Sequence, residues 1–115
     1  MNEREGLIVY QVIWSDTAED RLLRIWNYWS AEGAALTPVL DEISSLRTQE
    51  LAAITNACAR IDRVLSQRPT RVGRPFRDQL TRRVFSAGPL EVGYDVIADD
   101  RRVFILTVRY DDRRN

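Results

Sequence analysis

The chain has 115 residues and a mass of 13.3 kDa, and at 44% hydrophobic and 30% charged it has the make-up of one domain, expected over residues 1–115. No window approaches the roughly 20 consecutive apolar residues that a membrane-spanning helix needs. With no histidine and a single cysteine, zinc sites, Cys–His dyads and Ser–His–Asp triads are excluded, and neither metal nor cofactor is expected.

The N-terminus lacks a basic region, a long apolar stretch and a small-residue cleavage site, so the chain is expected to stay in the cytoplasm. Lone Cys58, among Ala57, Ala59 and Ile61, suits a small buried thiol in that reducing compartment. Residues 7–14 (LIVYQVIW) are apolar and β-branched, which predicts a strand with both faces largely covered. Ser15 and Asp16 can each cap a helix, and Glu19 lies three residues after Asp16 in capping-box register. Ala18, Leu22, Ile25 and Trp29 then recur at helical spacing, predicting a helix over about 16–32 that ends near Gly33. Thr37-Pro38 is a second start signal, and Leu40, Ile43, Leu46, Ile54, Cys58, Ile61 and Leu65 carry an apolar stripe to about residue 66, read as one helix with Ser44-Ser45 the place for a bend or break. So short a connection makes the two helices antiparallel.

Residues 67–80 (QRPTRVGRPFRDQL) have no periodicity and contain two prolines and a glycine, as an irregular segment does. Three strand patterns follow, over 81–86, 90–98 and 102–110, joined by turn-like Ala87-Gly88-Pro89 and Asp99-Asp100-Arg101. Strict alternation in the last one puts Val103, Ile105, Thr107 and Arg109 on one face and Phe104, Leu106, Val108 and Tyr110 on the other. The expected fold is α+β: an N-terminal strand, an antiparallel helical hairpin and a three-stranded antiparallel meander packed on the helices, in the order β-α-α-β-β-β. The last residues, DDRRN, are expected to fray.

All 17 basic residues are arginine. Guanidinium stays protonated and offers a planar fork of donors, so it clamps phosphates and carboxylates and does not shuttle protons. The charge is segregated: residues 1–59 sum to −5, residues 60–83 to +6 and residues 84–115 to −1. The basic block is either an anion-binding rim, with Arg71, Arg74, Arg77, Arg82 and Arg83 as its contacts, or a solvated loop held by surface ion pairs. Neighbouring strand residues face opposite sides, so only one of Arg82 and Arg83 can enter a given groove. Tyr94, Arg109 and Tyr110 could stack on a base and hold a phosphate, or form an ordinary packed sheet edge. Trp14, Trp26 and Trp29 read as packing anchors, and Asp99-Asp100 and Asp111-Asp112 as turn formers without a metal.

Strand, helical hairpin, arginine-rich loop and meander, in that order, resemble the RelE/ParE superfamily of toxins, the plasmid-stabilisation family, from about Tyr10 to Asp111. The resemblance is carried by YQVIWSDTAEDRLLRIWNYW, RVLSQRPTRVGRPF, TRRVFSAGPLEVGYDVIADDRRVF and ILTVRYDD. It implies the growth-inhibiting toxin of a type II toxin–antitoxin system, neutralised by a cognate antitoxin whose acidic C-terminal segment wraps it. A homodimer and a heterotetramer with the antitoxin are the assemblies open to it.

Two activities are implied by the resemblance: ribosome-dependent messenger cleavage, as in RelE-like members, and poisoning of DNA gyrase, as in ParE-like members. Arg82 and Arg83 match the strand where the nucleases carry basic residues, Tyr94 matches the aromatic of the next strand, and Arg109 and Tyr110 match the closing strand. Those four, Arg82, Arg83, Arg109 and Tyr110, are the catalytic candidates; Arg71, Arg74, Arg77, Arg82, Arg83, Tyr94 and Arg109 are the candidates for binding target or antitoxin. Glu91 stands near where the nucleases use an arginine, and a C-terminal helix with its tyrosine is not expected after Asp112. The nuclease set is therefore incomplete, and the chain looks closer to ParE-like members. The alternative is a non-catalytic interaction protein on the same fold, such as a decayed toxin.

Overall fold

The computed structural model describes residues 9–32, 41–76 and 81–111. In chain order the elements are β1 (Gln11–Trp14), α1 (Asp16–Asn27), a π-helical turn (Tyr28–Glu32), α2 (Asp41–Gln67), β2 (Arg74–Pro75), β3 (Arg82–Ala87), β4 (Leu90–Ile97) and β5 (Arg102–Tyr110). The architecture is α+β as expected, a helical pair on a five-stranded sheet of order β1-β5-β4-β3-β2. Among the described residues only β1 and β5 pair in parallel; the remaining ladders are antiparallel.

Several boundaries differ from expectation for physical reasons. Leu7 and Ile8 lie outside the described residues, and β1 covers only four residues of the expected strand. Among the described strands it is an edge strand bonded to β5 alone; Gln11 is exposed and Val12 to Trp14 are half-buried where coverage of both faces was expected. Ser15 takes the N-cap by itself, its Oγ accepting from the Ala18 N–H at 3.1 Å. Asp16 and Glu19 therefore sit inside the first turn, where they complement the helix dipole and form no capping box. After Asn27 the α-helix gives way to the π turn, at which the Ser30 hydroxyl donates to Trp26 O at 3.0 Å.

Helix α2 runs through Ser44-Ser45 without a break, to Gln67; the expected start at Thr37-Pro38 and the end of the first helix at Gly33 fall outside the described residues. Of the expected stripe Ile54, Ile61 and Leu65 are buried and Cys58 is half-buried, with Ala57 and Val64 buried beside them. Each fully buried aliphatic side chain there contributes about 2 kcal/mol. The two helices run antiparallel. At one end Trp14 Nε1, just before α1, donates to Asp62 late in α2 at 2.8 Å. At the other, Trp29 packs 5.9 Å from the Tyr110 ring, whose hydroxyl bonds Glu50 early in α2.

Leu90, Val92, Tyr94 and Val96 of β4 face the helices, joined by Val103, Ile105 and Val108 of β5. Trp14, Leu22, Ile25 and Trp29 pack on the margin of this core, whereas Trp26, expected as an anchor, is 36% exposed. The segment 67–80, expected to be irregular, adds β2, a two-residue strand extending the meander where Arg74 and Pro75 pair with Val84 and Arg83.

Candidate functional site: the open face of the sheet

A β-bulge decides which side chains reach the face turned away from the helical core. Between β4 and β5 the register steps from Gly93 opposite Thr107 to Tyr94 opposite Ile105, leaving Leu106 as the extra residue. Before the bulge Val103 and Ile105 point into the core; beyond it Val108 and Tyr110 do. The strict alternation expected from sequence therefore fails at Leu106. Arg109 and Tyr110 still lie on opposite sides, but the sides are exchanged: Thr107 and Arg109 are exposed and Tyr110 packs against the core. Gly93 is what permits this closeness. Its N–H donates to Thr107 Oγ1 at 3.1 Å, and a Cβ in its place would stand 2.6 Å from that oxygen.

The bulge also lies where β1 ends and helix α1 begins. Ser15 N–H donates to Ile105 O at 2.9 Å and its hydroxyl reaches Leu106 O at 3.5 Å, so the cap residue satisfies the strand edge that β1 no longer covers. The first turns of α1 are thereby carried over the rim of the sheet. The result is a groove of about 340 Å³ in which Arg21 from α1 meets Phe76, Arg82, Glu91, Thr107 and Arg109.

Charge in this groove is largely paired. Glu91 faces Arg109 directly across the β4–β5 ladder; the guanidinium donates through Nε at 3.0 Å and Nη2 at 2.6 Å to one carboxylate oxygen. Arg74 approaches the other oxygen at 3.6 Å. Arg82, opposite Asp95, donates Nε to it at 2.7 Å. Arg21 has no ion-pair partner among the described residues. Among the described residues, four guanidiniums against two carboxylates leave the face cationic, with most of those forks already occupied.

The remaining candidates are placed elsewhere. Arg83 points away from Arg82, and its Nε and Nη2 donate to Val72 O at 3.1 and 3.0 Å, with Gly73 O at 3.4 Å. Tyr94, expected as a possible stacking ring, is fully buried, and its hydroxyl donates to Pro69 O at 2.7 Å with Val72 O a second acceptor at 3.2 Å. Burial pushes its phenol up, while the Arg83 hydrogen bond and charge pull the other way. Both side chains pin the 69–73 turn and neither reaches the open face. Tyr110, a catalytic candidate by sequence, is on the helix side with Glu50 and Trp29, across the sheet from Arg109. Arg71 is exposed on the turn, and Arg77 lies outside the described residues. Sequence reasoning missed Arg21, because nothing local shows that a helix residue will overhang the strands sixty to ninety positions later.

A second concavity, of about 400 Å³, lies between the helices and is lined by Leu22, Leu23, Trp26, Ile54 and Cys58. Cys58 is half-buried there, and burial followed by the nearby Asp62 charge raises its thiol pKa, which leaves it a poor nucleophile. Among the described residues no helix is long and apolar enough to cross a membrane.

No family model matches the chain, and no curated protein does. Solved structures do. A chain of the RelBE2 toxin–antitoxin complex from Mycobacterium tuberculosis superposes with a TM-score of 0.57 at 24% identity, covering 90% of this chain and 93% of that one. A chain of the chromosomal ParDE toxin–antitoxin system from P. aeruginosa gives 0.60 at 15% identity, covering 90% and 98%. At such identities the likeness is one of fold: this chain has the RelE/ParE-type α+β fold, across nearly its whole length.

Proposed function

We propose that this protein is the toxin of a type II toxin–antitoxin module and a member of the RelE/ParE superfamily, neutralised by a small antitoxin. We infer further that it acts in the ParE-like manner, on a protein target such as DNA gyrase, and not by cutting messenger RNA. The near-complete fold match to chains of two toxin–antitoxin complexes supports the first part. The Glu91–Arg109 pair carries the second. Cleavage through a ribose 2′-hydroxyl needs free cationic donors on the phosphate and groups that move protons. On this face Glu91 occupies Arg109 and Arg74, Asp95 occupies Arg82, and the two candidate tyrosines are turned to the helices. Arg71, Arg74, Arg82 and Arg109 are the proposed contacts for target or antitoxin.

Expression of the protein alone should arrest bacterial growth, and co-expression of the short acidic product of a neighbouring reading frame should relieve the arrest. Purified protein should inhibit supercoiling by gyrase and leave messenger intact on purified ribosomes. Codon-specific messenger cleavage would overturn the ParE-like reading. Unchanged growth on induction would overturn the toxin reading and favour a non-catalytic interaction protein on the same fold, which the paired arginines would equally suit.

A further inference from the structure

We propose that the outer face of the helical pair docks onto the same face of a second copy of this chain, α1 of each copy lying against α2 of the other. The inference is separate from the toxin reading, since it concerns the purified chain by itself.

The concavity of about 400 Å³ between the helices is lined by α1 and α2 alone, and on its α1 bank Leu23 and Trp26 are 56% and 36% exposed. Two large apolar side chains beside an apolar hollow form a continuous patch, which a scattered exposed leucine does not. On α1 the exposed residues Asp16, Glu19, Leu23 and Trp26 recur every three or four positions and so share one stripe. On α2 the exposed residues Ala52, Thr55, Ala59 and Arg63 do the same. Glu19, Leu23 and Trp26 line one bank of the hollow and Thr55 the other. One stripe is thus acidic at its start and bulky beyond; the other is small along its length and ends in a cation.

These stripes suit each other, yet within one molecule they lie side by side. The Trp14–Asp62 hydrogen bond fixes their relative level at one end, and the contacts of Tyr110 with Trp29 and Glu50 fix it at the other. Between those marks Leu23 and Trp26 are level with Thr55 and Ala52. A two-fold axis running along the hollow, parallel to both helices, preserves the levels and turns each α1 onto the α2 of the other copy. Leu23 and Trp26 then fall on small residues. Helical side chains lean toward the N-terminus of their own helix, which brings the Glu19 carboxylate of one copy to the Arg63 guanidinium of the other. Neither Glu19 nor Arg63 has an ion-pair partner among the described residues. A two-fold across the helices would set α1 against α1, with the acids of one copy on the apolar end of the other, and desolvate them unpaired. The face is roughly 25 Å long and about 20 Å wide, from the helical rise and the usual spacing of packed helices, so the dimer belongs at the weak end of specific interfaces.

Sedimentation velocity of the purified protein at low salt tests this. The wild type should pass from monomer to dimer with a dissociation constant on the order of 10 μM. Leu23→Asp, at an exposed position, should stay monomeric with an unchanged circular dichroism spectrum; if it does not fold, Leu23→Gln takes its place. Glu19→Arg and Arg63→Glu should each weaken the dimer by about tenfold, because each reversal acts twice across a two-fold. Combined in one chain they should restore most of the loss. A wild type that is monomeric at concentrations well above that constant overturns the proposal, and loss of rescue by the antitoxin in Leu23→Asp would then give the hollow to the antitoxin. A dimer that survives Leu23→Asp, or a reversed pair that recovers nothing, overturns it equally. Growth plays no part in the sedimentation readout, so the toxin reading and the dimer fail separately.

Discussion

Arg109 and Glu91 stand directly opposite each other on β5 and β4, with two guanidinium nitrogens at 3.0 and 2.6 Å from a single carboxylate oxygen. Arg109 keeps 60% of its side chain exposed, so screening and side-chain entropy hold the stabilising worth of the pair to about 0.2–1 kcal/mol. Its larger consequence is electrostatic: it sets what charge the groove shows.

Arg83 on β3 and Arg109 on β5 should differ in what they contribute to stability. Arg83→Ala strips charge-assisted donors from the Val72 and Gly73 carbonyls and should lower stability by about 2 kcal/mol. Arg109→Ala should lower it by less than about 1 kcal/mol. Urea denaturation of both variants beside the wild type checks this, and equal losses would show that Arg83 does not pin the turn.

Tyr94→Phe leaves the Pro69 carbonyl without its donor inside the core and should destabilise by about 1–2 kcal/mol near neutral pH. The phenol is raised above its ordinary 10.0, chiefly by burial. Its unfolded form therefore ionises first: the associated stability is complete below pH 10 and is lost as pH rises above it. Cys58, raised above 9.0 for the same reason, adds an alkaline loss common to both proteins. Melting curves across pH 8 to 11 should show the gap between wild type and Tyr94→Phe narrowing at the alkaline end, and a constant gap would contradict the burial of the phenol.

Gly73→Ala should be among the most damaging single substitutions in the turn. Gly73 has φ +71°, and a Cβ there would lie 2.4 Å from the Val84 carbonyl oxygen and 3.1 Å from the Tyr94 hydroxyl. Conformational strain and the clash with backbone together should amount to about 3 kcal/mol. Thermal unfolding measures it, and a melting temperature equal to that of the wild type would mean the turn can move off β3.

Local pattern made much of the fold readable. The stripe through Ile54, Ile61 and Leu65 and the bounds of β5 follow from helical and strand periods, which depend only on neighbours in the chain. Strand β2 was not readable, because two residues holding a proline carry no period and pair only when β3 is already beside them. The partners of Arg83 and Glu91 were hidden for the same reason: a fork that reaches carbonyls or a carboxylate finds them at positions set by the turn and the ladder.

The amino-acid sequence by itself determined an α+β chain whose cations are all arginine, with a net positive block over 60–83 suited to anions, since composition and period are properties of the string. The tertiary structure decided which arginines face outward, that Tyr94 and Tyr110 turn inward, and that Glu91 and Asp95 occupy Arg74, Arg82 and Arg109. A single bulged residue, Leu106, exchanges the faces of everything after it on β5. That exchange depends on β4 lying alongside with Gly93 at the crossing point, an arrangement that exists only once the chain has folded.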